Sequence, residues 1–223
     1  MSVKPILFNT QMVQAIQSGK KTMTRRVIKP QPEGVPRRLL DGSCYPDCWG
    51  CEGSDRVFAP PYQPGDVLWV REAWAHPSEA EIKHGADAGE YLYKADQLQP
   101  CAWNKWRPSI HMPKQAARIF LRVKDVRAEV LSEISNEDIQ REGVEWRDLR
   151  PQGCKCRWAF EGCQDGECGN RDAYVHLCWV RPFADLWNST IKPAERDAYG
   201  WDAWPWVWVI EFERCERPEG WAP

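Results

Sequence analysis

Gly19-Lys20-Lys21-Thr22-Met23-Thr24-Arg25-Arg26 follows directly on the segment Thr10 to Ser18, and the junction between the two decides how the chain is read. In Thr10 to Ser18 the apolar residues Met12, Val13 and Ile16 fall at i, i+1 and i+4, the spacing of one helical face. Thr10 can cap the start of that helix, and Gly19 can take the left-handed conformation that ends it. The residues after Gly19 alternate bulk with hydroxyl and charge, which predicts a tight turn running into a strand. Such a turn aims the amine of Lys21, the hydroxyl of Thr24 and the guanidinium of Arg26 into one small space. The plainer reading, two basic pairs forming a solvated edge, stays open at this point, because charge runs usually coat surfaces.

Working outward, Lys4 to Phe8 reads as a strand before the helix. Residues 30–64 are rich in Pro, Gly, Asp and Cys and read as a long irregular insert. Gly65-Asp66 then opens the strand Val67 to Glu72. There Leu68, Val70 and Glu72 share one face, so an inward Leu68 and Val70 turn Glu72 inward too. A surface glutamate at a strand end is the alternative. Glu90 to Lys94 reads as a further strand, and Pro100 to Pro113 as a loop carrying Trp103, Trp106, His111 and Met112. Arg118 to Val130 is the longest strand, with a shift of parity near Lys124 and Asp125 that predicts a bend or bulge. Ser135-Asn136-Glu137-Asp138 resembles a capping box, opening a short helix that stops at Gly143. Glu142 falls in its last turn, where the helix dipole disfavours a carboxylate. Residues 145–178 form a second Cys-rich insert. Pro182 to Ile191 reads as an amphipathic helix with Pro182 in its first turn. Trp206 to Glu213 closes the domain as a strand, and residues 216–223 read as a flexible tail. Several strands with few short helices, and no repeated strand–helix–strand units, predict an α+β fold built on a small mixed β-barrel. One domain over residues 1–215, with inserts at about 30–64 and 145–178, accounts for this pattern.

The composition narrows the partners. With 223 residues and 14 Trp the chain can build a substantial core. Its formal net charge of -2 lacks the basic field that long nucleic acid demands, so no duplex DNA partner is expected. A modified nucleoside or single-stranded RNA fits better. No apolar run approaches the roughly 18 residues needed to span a bilayer, and the first residues lack a signal-peptide stretch. Those features predict a cytoplasmic protein without a membrane partner.

Five segments together carry a resemblance. They are Lys4 to Arg26 (KPILFNTQMVQAIQSGKKTMTRR), Pro64 to Trp74 (PGDVLWVREAW) and Arg107 to Pro113 (RPSIHMP), followed by the D-V-x-x-E-x-L-x-x-I-S pattern from Asp125 to Ser135 and Trp201 to Phe212 (WDAWPWVWVIEF). In this order they resemble ASCH-domain proteins, a branch of the PUA-like superfamily, and most of all the long ASCH proteins of phages and prophages. The resemblance covers most of the chain outside the two inserts. It implies a compact PUA-like barrel with flanking helices and a cleft, beside which the signature G-x-K-x-x-T-x-R lies. Gly19, Lys21, Thr24 and Arg26 match that signature position by position. Small bacterial members of the family are N4-acetylcytidine amidohydrolases, in which the Lys and Thr of the signature act with a Glu from a helix after the long strand. Glu142 matches that Glu most naturally. A phage-encoded protein of this kind would work in the host cytoplasm.

The resemblance thus implies catalysis without a cofactor. Thr24 supplies a hydroxyl that is inert until a base takes its proton. Lys21 is that base if desolvation and neighbouring cations, Arg25 and Arg26, lower its pKa toward neutrality. Glu142 protonates the departing amine if burial raises its pKa, and Arg26 or backbone N–H groups hold the oxyanion. Glu72 and Trp74 are candidates for contact with the pyrimidine, by hydrogen bonding and by stacking, with core packing the alternative for Trp74. The chain is considerably longer than the small amidohydrolases, and PUA-like domains also serve as RNA or modified-base binding modules. A non-catalytic binding module, phage-associated, is therefore the alternative reading.

The ten Cys point elsewhere. Cys44, Cys48 and Cys51 form C-x3-C-x2-C in the first insert. Cys154, Cys156, Cys163 and Cys168 form C-x-C-x6-C-x4-C in the second. Both segments have few apolar residues, and a structural zinc held by thiolates would organise them. Neither spacing is the paired C-x2-C of a firm zinc signature, so an iron–sulfur cluster and free thiols remain alternatives.

Overall fold

The computed structural model describes residues 2–38, 49–51, 56–85, 87–96, 105–147 and 171–221, with the backbone alone for 171–177. In chain order the regular elements are β1 (Val3–Leu7), α1 (Thr10–Gln17), β2 (Met23–Val27), β3 (Pro36–Arg38), β4 (Trp49–Cys51), β5 (Val57–Phe58), β6 (Val67–Arg71), β7 (Trp74–Ala75), α2 (Glu79–Lys83), β8 (Leu92–Tyr93), β9 (Phe120–Val130), α3 (Asn136–Arg141), α4 (Arg171–Thr190), α5 (Arg196–Tyr199) and β10 (Trp206–Cys215). The fold is mixed α+β. The chain divides into two compact units, the first made of Met1–Thr22, Ala59–Arg127 and Ile210–Pro223, the second of Met23–Phe58 and Ala128–Val209.

In the first unit the sheet order runs β1-β6-β9-β10. β1 lies parallel to β6, with Val3 opposite Val67 and Leu7 opposite Arg71. β9 lies antiparallel to β6, with Val67 opposite Arg122 and Trp69 opposite Phe120. Val67 to Val70 are all buried, so this strand is covered on both faces, as its unbroken apolar run requires. Val67 and Trp69 pack with Ala117 and Phe120. Trp221 closes this cluster, edge-on to both Trp69 and Phe120, so the tail expected to be loose is packed as far as that residue. The expected parity shift in β9 is present: Lys124 and Asp125 are both exposed, between the buried Val123 and Val126. The strand expected over Glu90 to Lys94 shortens to β8, because Lys94 opens a 3-10 turn that ends at Asp96. β8 pairs with β7, Tyr93 opposite Trp74.

In α1 the cap is Asn9, not Thr10: its side-chain oxygen accepts from the Met12 amide at 2.8 Å. Asn and Thr both suit the position, and the backbone stays extended one residue before the expected start. Gly19 ends the helix at φ 75°, as the sequence predicts.

In the second unit the order is β9-β10-β2, joined by a separate sheet of β3, β4 and β5. The small barrel expected from the sequence is corrected: among the described residues no sheet closes on itself. Met23, Leu131, Ile134, Ile139, Phe183, Trp187, Val207 and Val209 form the core of this unit. The helix expected over Pro182 to Ile191 starts at Arg171, placing Pro182 in its interior. Pro182 has no N–H for the carbonyl of Cys178 one turn back. The Arg147 amide donates to that carbonyl instead, at 3.2 Å, which satisfies the orphaned acceptor.

Candidate functional site

The signature residues occupy the end of the α1 turn and the first half of β2, so Thr24, Arg25 and Arg26 stand on a strand rather than on the turn itself. Strand alternation puts Thr24 and Arg26 on one face and Met23 and Arg25 on the other. Arg26 Nη1 donates to Thr24 Oγ1 at 2.8 Å and to the Arg25 carbonyl at 2.9 Å. An arginine donor on a hydroxyl oxygen favours the alkoxide over the neutral hydroxyl. Lys21, in the first unit, is 2% exposed, and Thr24, in the second, is 1% exposed. A solvated basic edge does not bury its lysine and threonine, so that reading is overturned. The Lys21 ammonium lies 5.7 Å from the centre of the Phe8 ring.

Within the second unit Arg25 is a buried hub. Its Nη1 donates to Glu142 Oε1 at 3.2 Å, and its Nη2 to Asp138 Oδ2 at 2.7 Å and Glu129 Oε2 at 3.1 Å. Arg25 thus meets three carboxylates and does not serve as a spare cation. Glu142, 4% exposed, caps the C-terminus of α3, followed by Gly143 at φ 83° as expected. Ser135 Oγ accepts from the Asp138 amide at 3.1 Å, which is half of the expected capping box. The Asp138 carboxylate itself accepts from Arg25 Nη2 at 2.7 Å.

Within the first unit Glu72 is fully buried just after β6, turned inward as the strand parity predicts. Arg118 holds it by a fork, Nε to Oε1 at 2.8 Å and Nη2 to Oε2 at 2.9 Å. Arg118 also donates to both oxygens of Asp96, from Nη1 to Oδ2 and from Nη2 to Oδ1, and its guanidinium stacks 3.7 Å from the centre of the Tyr93 ring. Asp96 accepts from Gln17 Nε2 as well, tying α1 to this network. Burial pushes the Glu72 carboxyl up, with Arg118 opposing. Hydrogen bonds from Arg118 hold Asp96 down against its burial. Burial pushes the Tyr93 phenol up to about 12. Trp74, the stacking candidate, is packed: His76 and Tyr91 meet its ring edge to face, and the Arg107 guanidinium lies 5.0 Å from its centre.

Sequence reasoning singled out Glu72, Thr24, Arg26 and Glu142 but missed Arg118, Asp96, Glu129 and Asp138. No local signal marks those four, since each acts through a partner dozens of residues away. Among the zinc candidates Cys51 is buried, its thiol 3.4 Å from the Gly34 carbonyl oxygen. Cys44, Cys48, Cys154, Cys156, Cys163 and Cys168 lie outside the described residues. No helix among the described residues is long and apolar enough to cross a membrane. No protein-family model matches this chain, and no curated protein or solved structure matches it.

Proposed function

We propose that this chain is an ASCH-type, PUA-like hydrolase that removes an acyl group from a modified nucleoside such as N4-acetylcytidine. The observation that carries the reading is the burial of Lys21 and Thr24 inside the matched signature, together with that of Glu142. Burying an amine, a hydroxyl and a carboxyl group is expensive, and titratable groups so placed are used for chemistry more often than surface charges are.

In this reading Thr24 Oγ1 attacks the acyl carbon and passes its proton to the neutral amine of Lys21. The tetrahedral oxyanion is held by N–H donors of the signature turn or by Arg26. The C–N bond then breaks as Glu142 gives a proton to the leaving N4 amine, and the acyl group remains on Thr24 as an ester. Water then gives a proton to the Glu142 carboxylate as it attacks the ester, and the Lys21 ammonium returns its proton to Thr24 Oγ1 as the C–O bond breaks, which releases the carboxylic acid and restores Thr24, Lys21 and Glu142. The Arg26 contact at 2.8 Å supports the first step, because it stabilises negative charge on the attacking oxygen.

The test is incubation of purified protein with N4-acetylcytidine, following cytidine by chromatography, with Lys21→Ala as control. Cytidine from the wild type alone supports the proposal. A folded wild type that releases none overturns it and leaves the binding module, for RNA or a modified base, as the reading of the same residues.

A further inference from the structure

We propose that Arg25 is the positioning residue for Glu142, fixing the carboxyl that protonates the leaving amine. This rests on the hydrolase reading above. Position 25 is one that the G-x-K-x-x-T-x-R signature leaves open, so the signature itself assigns Arg25 nothing.

The geometry supplies the argument. Glu142 sits where α3 ends, among carbonyl groups that repel a carboxylate. Left alone it would turn to solvent, yet it is buried with Oε1 on Arg25 Nη1 at 3.2 Å. The guanidinium is itself held from its other nitrogen, by Asp138 at 2.7 Å and Glu129 at 3.1 Å. These anchors come from the end of β9 and the first turn of α3, so the fork is fixed before it reaches Glu142. Its planar shape is what such a role needs, because two nitrogens in one rigid plane meet several acceptors at set angles. A lysine ammonium is a point charge on a flexible stem and sets no such angles. Stability alone is a weak account of this cluster, since buried ion networks are often no more stabilising than apolar residues of similar volume. Fixed orientation of one carboxyl accounts for it directly.

The test uses the full chain with N4-acetylcytidine as substrate. Arg25→Lys keeps the charge and loses the fork, and kcat is expected to fall about 100-fold with KM little changed, as for a displaced catalytic group. Asp138→Asn loosens the outer hold without touching Glu142 and is expected to lower kcat by a smaller factor. Added guanidinium ion is expected to restore part of the kcat lost in Arg25→Ala, which a purely structural role would not permit. Wild-type kcat in both Arg25→Lys and Asp138→Asn, or losses that follow only the folded fraction measured by circular dichroism, overturn the inference. If either Arg25 variant does not fold, Asp138→Asn decides alone. Turnover by the wild type with unaltered variants sinks the Arg25 role and leaves the hydrolase standing. No turnover by the folded wild type sinks both.

Discussion

Arg118 and Glu72 form a two-pronged ion pair inside the first unit, Nε on Oε1 at 2.8 Å and Nη2 on Oε2 at 2.9 Å. Every oxygen of a fully buried carboxylate is thereby met by a donor that is itself aligned by Asp96 and by the Tyr93 ring. Arg118 in the first unit and Arg25 in the second each gather carboxylates in this way. In each, an arginine far along the sequence meets a buried carboxylate, Glu72 turned inward by strand parity and Glu142 placed at the C-terminus of α3.

Removing Arg118 leaves Glu72 buried without its fork. Arg118→Ala is expected to destabilise the fold by about 3 kcal/mol at neutral pH, the lower end for a broken buried pair because Arg118 is partly exposed. The sign with pH follows from the raised folded pKa of Glu72. A carboxyl with a folded pKa above its unfolded value favours folding in its protonated form, and the favour is lost as pH rises. Without Arg118 that pKa rises further, so the loss is larger at neutral pH than at mildly acidic pH. Urea unfolding at the two pH values checks this, and equal losses at both would show that Glu72 is not the source.

Asp66 carries the opposite sign. Burial pushes its carboxyl up, but donors from the Lys4 ammonium, the Ser2 hydroxyl and amide and the Gln63 amide outweigh burial and hold it at about 2. Its contribution, about 2 kcal/mol at neutral pH, is full above the unfolded value and is lost as pH falls from roughly 4 toward 2. Asp66→Asn is expected to lower stability at neutral pH by about that amount and to flatten the acid limb of the stability curve. Chemical denaturation across that limb reads it, and a variant with an unchanged acid limb would rule Asp66 out.

Much of this was legible locally. The stop of α1 at Gly19, the buried β6, the parity shift in β9 and the end of α3 at Gly143 each follow from a few neighbouring residues. So does the inward Glu72, which strand alternation alone places. The rest is long-range. Arg25 meets Glu129, Asp138 and Glu142 across 104, 113 and 117 residues, and Arg118 meets Glu72 across 46. Hydrophobic alternation marks which faces are buried but says nothing about which strand ends meet, so it could not distinguish an open sheet from a barrel. Pro182 misled for a physical reason: proline suits a first turn, and inside α4 the carbonyl it leaves without a donor is met by the distant Arg147 amide.

Trp204 stores strain that can be measured. It adopts φ 49° and ψ 50°, the left-handed region that bulky side chains avoid, and the residue is 64% exposed. Little packing is lost on replacement, and Asn takes this conformation readily. Trp204→Asn is expected to raise stability by about 0.5–1 kcal/mol, seen as a higher thermal midpoint. A lower midpoint would show that the exposed ring contributes more to the fold than its strain takes away.

Thr24 separates the hydrolase from the binding module most sharply. Thr24→Val keeps the shape and packing of the buried side chain and removes only Oγ1, while Arg26 Nη1 retains the Arg25 carbonyl as an acceptor. Thr24→Ser keeps the oxygen and loses a methyl group. If Oγ1 is the nucleophile, Thr24→Val abolishes cytidine release from N4-acetylcytidine, Thr24→Ser keeps a fraction of it, and both still bind the nucleoside within about threefold of the wild type. Turnover and equilibrium binding measured on the same preparations read the two effects separately. Full release by Thr24→Val would remove Thr24 from the chemistry. Loss of binding in Thr24→Val with no release by any variant, the wild type included, would place the hydroxyl in recognition instead.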